Sequence, residues 1–391
     1  MRLPRLGRMP EQPVDAFLLV SFGGPEGPDD VLPFLRNVTR GRGVPEERLA
    51  EVAGHYRHFG GVSPINEQNR ALIAAVEMDL YRHGIALPVY WGNRNWHPYL
   101  ADTVARMTED GVRRAVAFVT SAYAGYSACR QYREDLAAAR AAVGPSAPSI
   151  DKLRHYYNHP GFVSAMVRST RLALAELPPA GRDRAHLAFV AHSIPTTMAA
   201  SSGPSGGAYP DQLIEAARLV AEGVGGGHRW ELVYSSRSGD PRTPWLEPDI
   251  GDHLATLATR GVTDVVAVPI GFVSDHMEVR YDLDVEARER ADTLGLRLVR
   301  AATVGTDPDF VTAIRELVLE RLEPSSPRRA SGRSGPGWDP CPPDCCRAAE
   351  GRPTTTEGPR PGFSTRGGIE MRHWTAYAGA EEAQTDGRAG T

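Results

Sequence analysis

Cysteine is scarce in this chain: four occur among its 391 residues. That is too few for a disulfide framework, which is a device of small secreted domains. No apolar run approaches the ~18 residues that a membrane-spanning helix needs, and the start, MRLPRLGRMPEQP, lacks the continuous apolar core of a signal peptide. The sequence therefore predicts a cytoplasmic protein without a transmembrane segment, and it leaves transient contact with a membrane surface open.

Concentrated positive charge is also missing. The formal net charge is −4, and the 44 lysine and arginine residues are spread along the chain. A protein that follows a phosphate backbone is expected to carry a polybasic stripe. We therefore expect no nucleic-acid partner. The length is sufficient for two compact domains with a cleft between them.

Short β-branched and aromatic runs alternate with longer amphipathic stretches between residues 15 and 322. This alternation predicts an α/β fold in which helices cover parallel sheets. Strands are predicted at 16–22, 87–92 and 115–121 in the first half and at 186–192, 230–236 and 264–270 in the second. Helices are predicted near 65–83, 98–110, 128–142, 210–223 and 250–260. The repetition indicates two similar sheets.

Changes in composition divide the chain into three predicted parts. The helical pattern breaks at GPSAPS, so we place a linker around 143–154. The first domain then covers residues 1–150 and the second 151–323. Residues 324–391 are rich in Pro, Ser, Gly and Arg, with too little apolar surface to offset chain entropy. We expect this tail to be largely disordered unless a ligand organises its CPPDCC segment.

Unusual segments follow three of the predicted strands. They are SFGGPEGPDD after the first, AHSIP after the fourth and PIGFVSDHMEVRYDLD after the sixth. In open α/β sheets, ligands bind outside the carboxyl ends of the strands. SFGGP lacks the spacing of a dinucleotide fingerprint, which disfavours a phosphate-binding loop. We interpret Gly23 and Gly24 as positions where the backbone passes close to a flat ligand.

His192 stands at the end of the fourth predicted strand, between the apolar run LAFVA and Pro195. An imidazole at this stiff corner is suited to catalysis or metal binding near neutral pH. A hydrogen-bonded histidine that closes the core accounts for the position equally well. The acidic residues after the sixth strand favour the functional interpretation.

Those acidic residues recur at helical intervals of three, four and four: Asp275, Glu278, Asp282 and Glu286. On one helix they would share a face, where repulsion costs a few tenths of a kcal/mol, on the order of 0.3, per pair. Acidic rows are more commonly solvated faces. Here the row begins beside the expected cleft, with a histidine opposite, and that combination suits divalent cations such as Fe(II) or Mg(II).

Six segments together identify a family by resemblance. SFGGP, GGVSP, AHSIP, PDQL, PWLEPD and PIGFVSDHMEVRYDLD occur in this order, and they resemble the ferrochelatase family. That resemblance implies two similar Rossmann-like domains, each with a four-stranded parallel sheet, and a porphyrin bound in the cleft between them. The implied activity is insertion of Fe(II) into the porphyrin during haem biosynthesis.

The resemblance also implies roles for single residues. The catalytic histidine falls on His192 and the catalytic glutamate on Glu278, and Asp282 and Glu286 continue the row as metal-binding residues. Metallation removes pyrrole protons and strips water from iron, which calls for a base that titrates near neutrality and for carboxylates. By resemblance, the expected porphyrin-binding residues are Arg40, Arg42, Ser63 and Tyr132. Trp245 is added because an aromatic side chain can face a large ring.

Two positions depart from some bacterial relatives. Phe22 stands where those relatives have an iron-ligating tyrosine, and Asn95 stands where they have a histidine. Neither side chain replaces the lost ligand, which leaves His192 as the better protein ligand for iron.

The four cysteines resemble those of the actinobacterial branch of the family, whose members carry an iron–sulfur cluster. A [2Fe–2S] cluster takes four thiolates, and Cys129, Cys341, Cys345 and Cys346 supply that number with none left over. Soft thiolates favour such a cluster. Zinc would fit the same ligands, and an inert Cys129 beside a disordered, thiol-rich tail is a third interpretation.

The actinobacterial resemblance favours coproporphyrin III as the substrate, with protoporphyrin IX as the alternative. A cobalt or sirohydrochlorin chelatase is a rival among enzymes, and a non-catalytic haem or iron carrier is a rival of another class. The pairing of His192 with the acidic row favours catalysis over carriage.

Overall fold

The computed structural model describes residues 13–41, 43–238, 242–339, 341–342 and 344–348. The strands of this part of the chain are β1 (Ala16–Ser21), β2 (Val89–Asn93), β3 (Arg114–Val119), β4 (Ser149–Lys152), β5 (His186–His192), β6 (Trp230–Ser235), β7 (Asp264–Val268) and β8 (Arg297–Arg300). They form two four-stranded sheets of order β2–β1–β3–β4 and β6–β5–β7–β8, and every pairing is parallel. The predicted α/β fold with two parallel four-stranded sheets is confirmed.

Helices connect and cover the strands. They are α1 (Val31–Val38), α2 (Glu46–His58), α3 (Ile65–Arg82), α4 (Leu100–Glu109), α5 (Gln131–Val143), α6 (Pro160–Glu176), α7 (Pro179–Arg182), α8 (Thr196–Ala200), α9 (Ala208–Val224), α10 (Ile250–Thr259), α11 (Met277–Tyr281), α12 (Ala287–Thr293) and α13 (Pro308–Leu322). A 3-10 turn occupies Pro28–Asp30, and π-helical turns occupy Tyr126–Arg130 and Asp282–Glu286.

The central strands are buried along nearly their whole length, as is typical of parallel strands covered on both faces. β1, β3 and β7 read AFLLVS, RAVAFV and DVVAV, and every residue of each is buried. The edge strands β4 and β8 read SIDK and RLVR and are largely half-exposed, so they lack the apolar run that prediction relied on. The predicted linker at 143–154 is corrected accordingly, because it contains β4.

One apolar core joins the two sheets. Phe17 of β1 and Phe189 of β5 belong to the same buried cluster, together with side chains of α3, α6, α9 and α13. The outer face of the first sheet is covered by α4 and α5, and that of the second by α10 and α12. Although α13 lies in the predicted second domain, it packs against α3 and β3 of the first half. The two sheets therefore cannot separate without opening this core.

Part of the predicted tail is hydrogen-bonded to the second half of the chain. The side chain of Asn158 donates to the carbonyl oxygen of Gly335 at 2.8 Å, and the backbone carbonyl oxygen of Asn158 accepts from the amide of Ser331 at 2.7 Å. Glu215 of α9 accepts from the amide of Arg333 at 2.9 Å. These bonds order the stretch 324–339, whereas residues 349–391, the larger part of the tail, lie outside the described residues.

None of the helices in the described ranges is long and apolar enough to cross a membrane. The cytoplasmic location stays a prediction.

A buried ion pair fixes α13 to the loop between β4 and α6, and its loss should be costly. Arg154 and Glu320 are both buried, with nitrogen–oxygen distances of 2.8 Å to each carboxylate oxygen. Glu320→Ala would leave the guanidinium buried without its counter-ion, which costs about 3–5 kcal/mol of unfolding free energy. Urea unfolding measures this. Glu323→Ala, at an exposed position, is the control, and a loss below about 1 kcal/mol for Glu320→Ala would contradict the assignment.

Candidate functional site

His192 is held rigidly at the carboxyl end of β5. Its backbone carbonyl accepts a hydrogen bond from the buried Tyr209 hydroxyl at 2.8 Å. On the ring, Nδ1 lies 2.5 Å from the carbonyl oxygen of Ser193. Because a carbonyl only accepts, Nδ1 carries a proton, and Nε2 is the nitrogen directed at Glu278, 3.5 Å from Oε2. The predicted histidine and glutamate are therefore brought together.

The two side chains of this pair influence each other's protonation. Burial alone would lower the pKa of His192, but the contact with Glu278 and its negative charge outweigh burial and leave that pKa raised. Desolvation by the surrounding protein alone would raise the pKa of Glu278, but His192 and His276 bring it down to about 2. The side chains of His192 and Glu278 are 35% and 55% exposed, so both remain reachable from the cleft.

Asp282 and Glu286 follow Glu278 across a π-helical turn, a feature that is frequent at functional sites. Burial and the negative charges of Glu278 and Glu286 raise the pKa of Asp282 to about 7. The hydroxyl of Ser236 donates to its Oδ2. Ser236 has a left-handed backbone with φ of 62°, an uncommon conformation that functional sites often contain. Asp282 is therefore poised to gain or lose a proton near neutrality.

Asp275 does not belong to the acidic row, and this prediction is corrected. The helix begins at Met277, and both carboxylate oxygens of Asp275 instead bind the guanidinium of Arg300 at 3.1 Å. Arg300 also donates to Asp284 at 2.6 Å. This network ties the loop before α11 and the π-helical turn to β8, and the sequence did not reveal it because β8 was not predicted.

The first half of the chain reaches the same site through an aromatic cluster. Phe34 of α1 and Tyr56 of α2 pack around Met277, the neighbour of Glu278. Phe22 packs edge-on against Phe34, with ring centroids 6.3 Å apart. The Tyr123 hydroxyl donates to the carbonyl oxygen of Ile270 at 2.7 Å, which links the ends of β3 and β7. The two walls of the cleft are thereby fixed to each other.

The tight approach at Gly23 and Gly24 is made by protein atoms. A Cβ on Gly24 would lie 2.8 Å from Oγ of Ser63, and one on Gly23 would lie 2.8 Å from Cβ of Asn93. The interpretation that both glycines make room for a flat ligand is corrected, since packing within the protein already requires them. Ser63 is correspondingly buried.

A pocket of about 240 Å³ contains the predicted residue Arg40. Its lining consists of Asn37, Val38, Arg40, Arg94, Asn95, Gln131 and Asp135. The guanidinium of Arg94 lies over the ring of the buried Tyr132, 5.3 Å from its centroid, and 3.0 Å from the Asp135 carboxylate. Sequence reasoning missed Arg94, although it directly follows β2, and ligand-binding residues of open α/β sheets are expected at the carboxyl ends of strands. Arg42 lies outside the described residues.

Trp245 lies on the other side of the site and is half-buried. Its segment pairs with the loop after His192: Trp245 bridges Pro195, and the amide of Leu246 donates to the carbonyl oxygen of Ile194 at 3.0 Å. The structure thus brings Trp245 to the histidine loop, whereas Arg40 lies in the pocket beside α1.

The four cysteines, all of which are described, are free thiols that lie close together. Sγ of Cys345 is 3.5 Å from Sγ of Cys346, and the amide of Gly203 donates to Cys346 at 3.0 Å. Contact with Cys345 lowers the pKa of Cys346 to about 6 despite burial. Burial raises the pKa of Cys129 to about 11, and that thiol also interacts with Cys341 and Cys346.

The surroundings of these thiols fit an anionic, thiolate-bound group. Lys152 and Arg133 act electrostatically on both Cys129 and Cys341, and Arg130 donates to the carbonyl oxygen of Cys345 at 2.8 Å. Positive neighbours and amide donors stabilise thiolates. The donor set can therefore hold an iron–sulfur cluster or zinc.

The fold and the site define an α/β protein with two parallel four-stranded sheets and a histidine–carboxylate pair at the carboxyl end of β5. Residues 14–322 match the family model described as Ferrochelatase. The chain is 57% identical over 365 residues to the coproporphyrin III ferrochelatase of Streptomyces coelicolor, covering 89% of this chain and 97% of that protein. It is 59% identical over 343 residues to that of Frankia alni, covering 86% and 87%. This chain belongs to the ferrochelatase family.

Among solved structures, the chain is similar to SirB from Bacillus subtilis with Fe³⁺ at 11% identity and a TM-score of 0.49. The match covers 81% of this chain and 99% of that one.

The electrostatic coupling of His192 to Glu278 can be tested directly. In Glu278→Gln the charge that raises the pKa of His192 is gone while burial remains, so this pKa should fall by about 1 or more. Titration of the imidazole by NMR measures it, with the resonance assigned from its loss in His192→Asn. Glu289→Gln, an exposed carboxylate on α12, serves as the control. An unchanged or higher pKa in Glu278→Gln would rule out the coupling.

Proposed function

We propose that this protein inserts Fe(II) into coproporphyrin III, with His192 and Glu278 as the catalytic pair. The observation that carries the proposal is the 3.5 Å approach of Nε2 of His192 to the Glu278 carboxylate, with both groups open to the cleft. The identities of 57% and 59% to coproporphyrin III ferrochelatases support the choice of substrate.

In the proposed reaction, the porphyrin loses its two pyrrole N–H protons and Fe(II) takes their place. Nδ1 of His192 is bonded to a carbonyl, so Nε2 is the nitrogen that can accept a pyrrole proton. It would release the first proton to solvent before it accepts the second. The Glu278 carboxylate stabilises the imidazolium that forms, as a nearby negative charge does. A base that titrates near neutrality is effective in such a transfer.

The acidic row supplies the route for iron and protons. Glu278 stays ionised over the physiological range because its pKa is about 2, which suits it to bind the entering cation. Asp282 has a pKa of about 7 and can take up or release a proton as the charge of its neighbours changes. Partial desolvation also raises the pKa of Glu286, at the outer end of the row. We assign His192, Glu278, Asp282 and Glu286 as the residues that contact iron on its way in.

The porphyrin carboxylates are proposed to meet the pocket around Arg40 and Arg94. Arg40 is exposed, whereas Arg94 is anchored by Asp135 and stacked on Tyr132. A guanidinium binds a carboxylate through paired hydrogen bonds. Coproporphyrin III has four such groups, so this pocket holds some of them. Arg42, Ser63 and Trp245 remain predicted contacts of the same ligand.

A [2Fe–2S] cluster bound by Cys129, Cys341, Cys345 and Cys346 is proposed as a resident group. The thiol contacts and the nearby positive charges support it. The cluster supplies four metal–thiolate bonds and, because metallation transfers no electrons, we propose that its role is structural. It would join the π-helical turn at Tyr126–Arg130 to the tail beside Gly203.

The proposed activity is tested by anaerobic Fe(II) insertion with purified protein. Coproporphyrin III should be metallated faster than protoporphyrin IX, as followed by porphyrin absorption. Glu278→Gln should slow insertion at least about 100-fold while porphyrin binding, measured by fluorescence quenching, is retained. Glu289→Gln is the matched control. A preference for protoporphyrin IX would overturn the substrate, and near-normal turnover in Glu278→Gln would overturn the role of that residue.

The proposed cluster has its own spectroscopic test. Anaerobically purified protein should absorb between roughly 400 and 500 nm through thiolate-to-iron charge transfer, with about two iron and two sulfide per chain. Cys346→Ser should reduce this absorption, because the thiol accepts a bond from Gly203 and contacts Cys345. Zinc without iron in the purified protein would favour the alternative metal, and an absence of both would contradict a metal site at these thiols.

A further inference from the structure

A second group of metal-ligating side chains lies at the other end of the second sheet. His186 begins β5, Glu231 lies in β6 and His253 lies in α10. His186 and His192 occupy opposite ends of the same strand, about 20 Å apart at 3.3 Å per residue. The group is therefore separate from the proposed iron site, and it does not depend on the proposed function.

The ligand atoms of this group converge. Nε2 of His186 lies 3.1 Å from Nε2 of His253. The other ring nitrogen of His253, Nδ1, lies 3.6 Å from Oε2 of Glu231, so the Glu231 side chain must turn toward Nε2 to share an ion. One ligand atom from each of the three residues lies within 4.8 Å of the other two. Two nitrogens that bind one tetrahedral ion at ~2.0–2.1 Å are about 3.4 Å apart. The observed separation is close to that value, so a small shift would admit an ion.

Both imidazoles are neutral in this environment. His186 is 6% exposed and His253 is 3% exposed. Burial, followed by the proximity of His253, lowers the pKa of His186 to about 4, and burial lowers the pKa of His253 as well. A neutral imidazole offers its lone pair to a metal at pH 7 without first losing a proton.

Glu231 gives the group a negative charge and an open side. Its side chain is 47% exposed, so an ion can enter from solvent and keep water ligands. Arg229 and Arg260 act electrostatically on His186, and their positive charges oppose a cation. We expect weaker binding here than at a closed structural zinc site.

We propose that His186, His253 and Glu231 bind one divalent ion of borderline softness, such as Zn²⁺, with water completing the coordination. Two imidazoles and one carboxylate form a donor set that zinc uses in proteins. The ion would link β5, β6 and α10, and so stabilise the second half of the molecule at a distance from the proposed catalytic pair.

The test is zinc binding by the full chain, with the cysteine site in the same state in every sample. After equilibrium dialysis against buffered free Zn²⁺ at pH 7, the wild type should hold one more zinc ion per chain than His253→Ala. Glu231→Gln should need at least about tenfold more free zinc to reach the same occupancy. Since all variants share the cysteines and His192, the difference isolates this site.

The control is Glu176→Gln, which removes an exposed carboxylate elsewhere and should bind zinc as the wild type does. Zinc should also raise the melting temperature of the wild type and of Glu176→Gln more than that of Glu231→Gln. Because Glu231 is half-exposed, Glu231→Gln is expected to fold. If His253→Ala fails to fold, the comparison of the wild type with Glu231→Gln is the test. Equal zinc binding by the wild type and Glu231→Gln would overturn the proposal and leave a hydrogen-bonded chain from Glu231 through His253 to His186.

Discussion

The apolar core shared by the two sheets is the constraint on which the site depends. Phe17 of β1 and Phe189 of β5 lie in one buried cluster with α3, α6, α9 and α13 between the sheets. The loops that carry His192 and Glu278 grow from strands embedded in this core. At the cleft itself, the bond from Tyr123 to Ile270 and the bond from the Asp275 amide to Gln68, at 2.7 and 2.8 Å, link the halves again. The walls are thus positioned before any ligand arrives, which lowers the cost of holding a rigid ring in register.

Within that frame, the acidic row differs in protonation from one residue to the next. Glu278, paired with His192, has a pKa of about 2, whereas Asp282, one turn on, has a pKa of about 7. Neighbouring carboxylates that are partly buried cannot all ionise, because each charge raises the pKa of the next. If every carboxyl in the row had the same pKa, the row would be either fully ionised, with strong mutual repulsion, or fully protonated, with no charge to attract a cation. In the proposed reaction, the graded row would bind a cation at its inner end while a proton moves along it.

The sequence predicted the parts of the molecule whose signal is local. The buried strands β1, β3, β5 and β7 show as apolar runs; His192 ends β5, and Glu278 lies in the acidic segment that follows β7. The edge strand β8, RLVR, has no such run and was not predicted. The sequence therefore did not reveal that Arg300, at the end of β8, pairs with Asp275. Asp275 fits the helical interval of the row, but interval alone cannot show that the helix begins at Met277. Arg94 and Ser236 were missed for a related reason, since their partners lie far away in the chain.

The sequence also provided no indication of the metal-ligating group at His186. His186, Glu231 and His253 share no sequence interval, and only the parallel register of β5 and β6, with Ala188 opposite Glu231, and the packing of α10 on that face bring them together. Ligands of open α/β sheets normally bind at the carboxyl ends of the strands, where His192 lies. An ion at the amino end of β5 would touch no reacting group, so its contribution would be to hold β5, β6 and α10 together. Strand β5 would then carry a catalytic histidine, His192, at its carboxyl end and a structural metal ligand, His186, at its amino end.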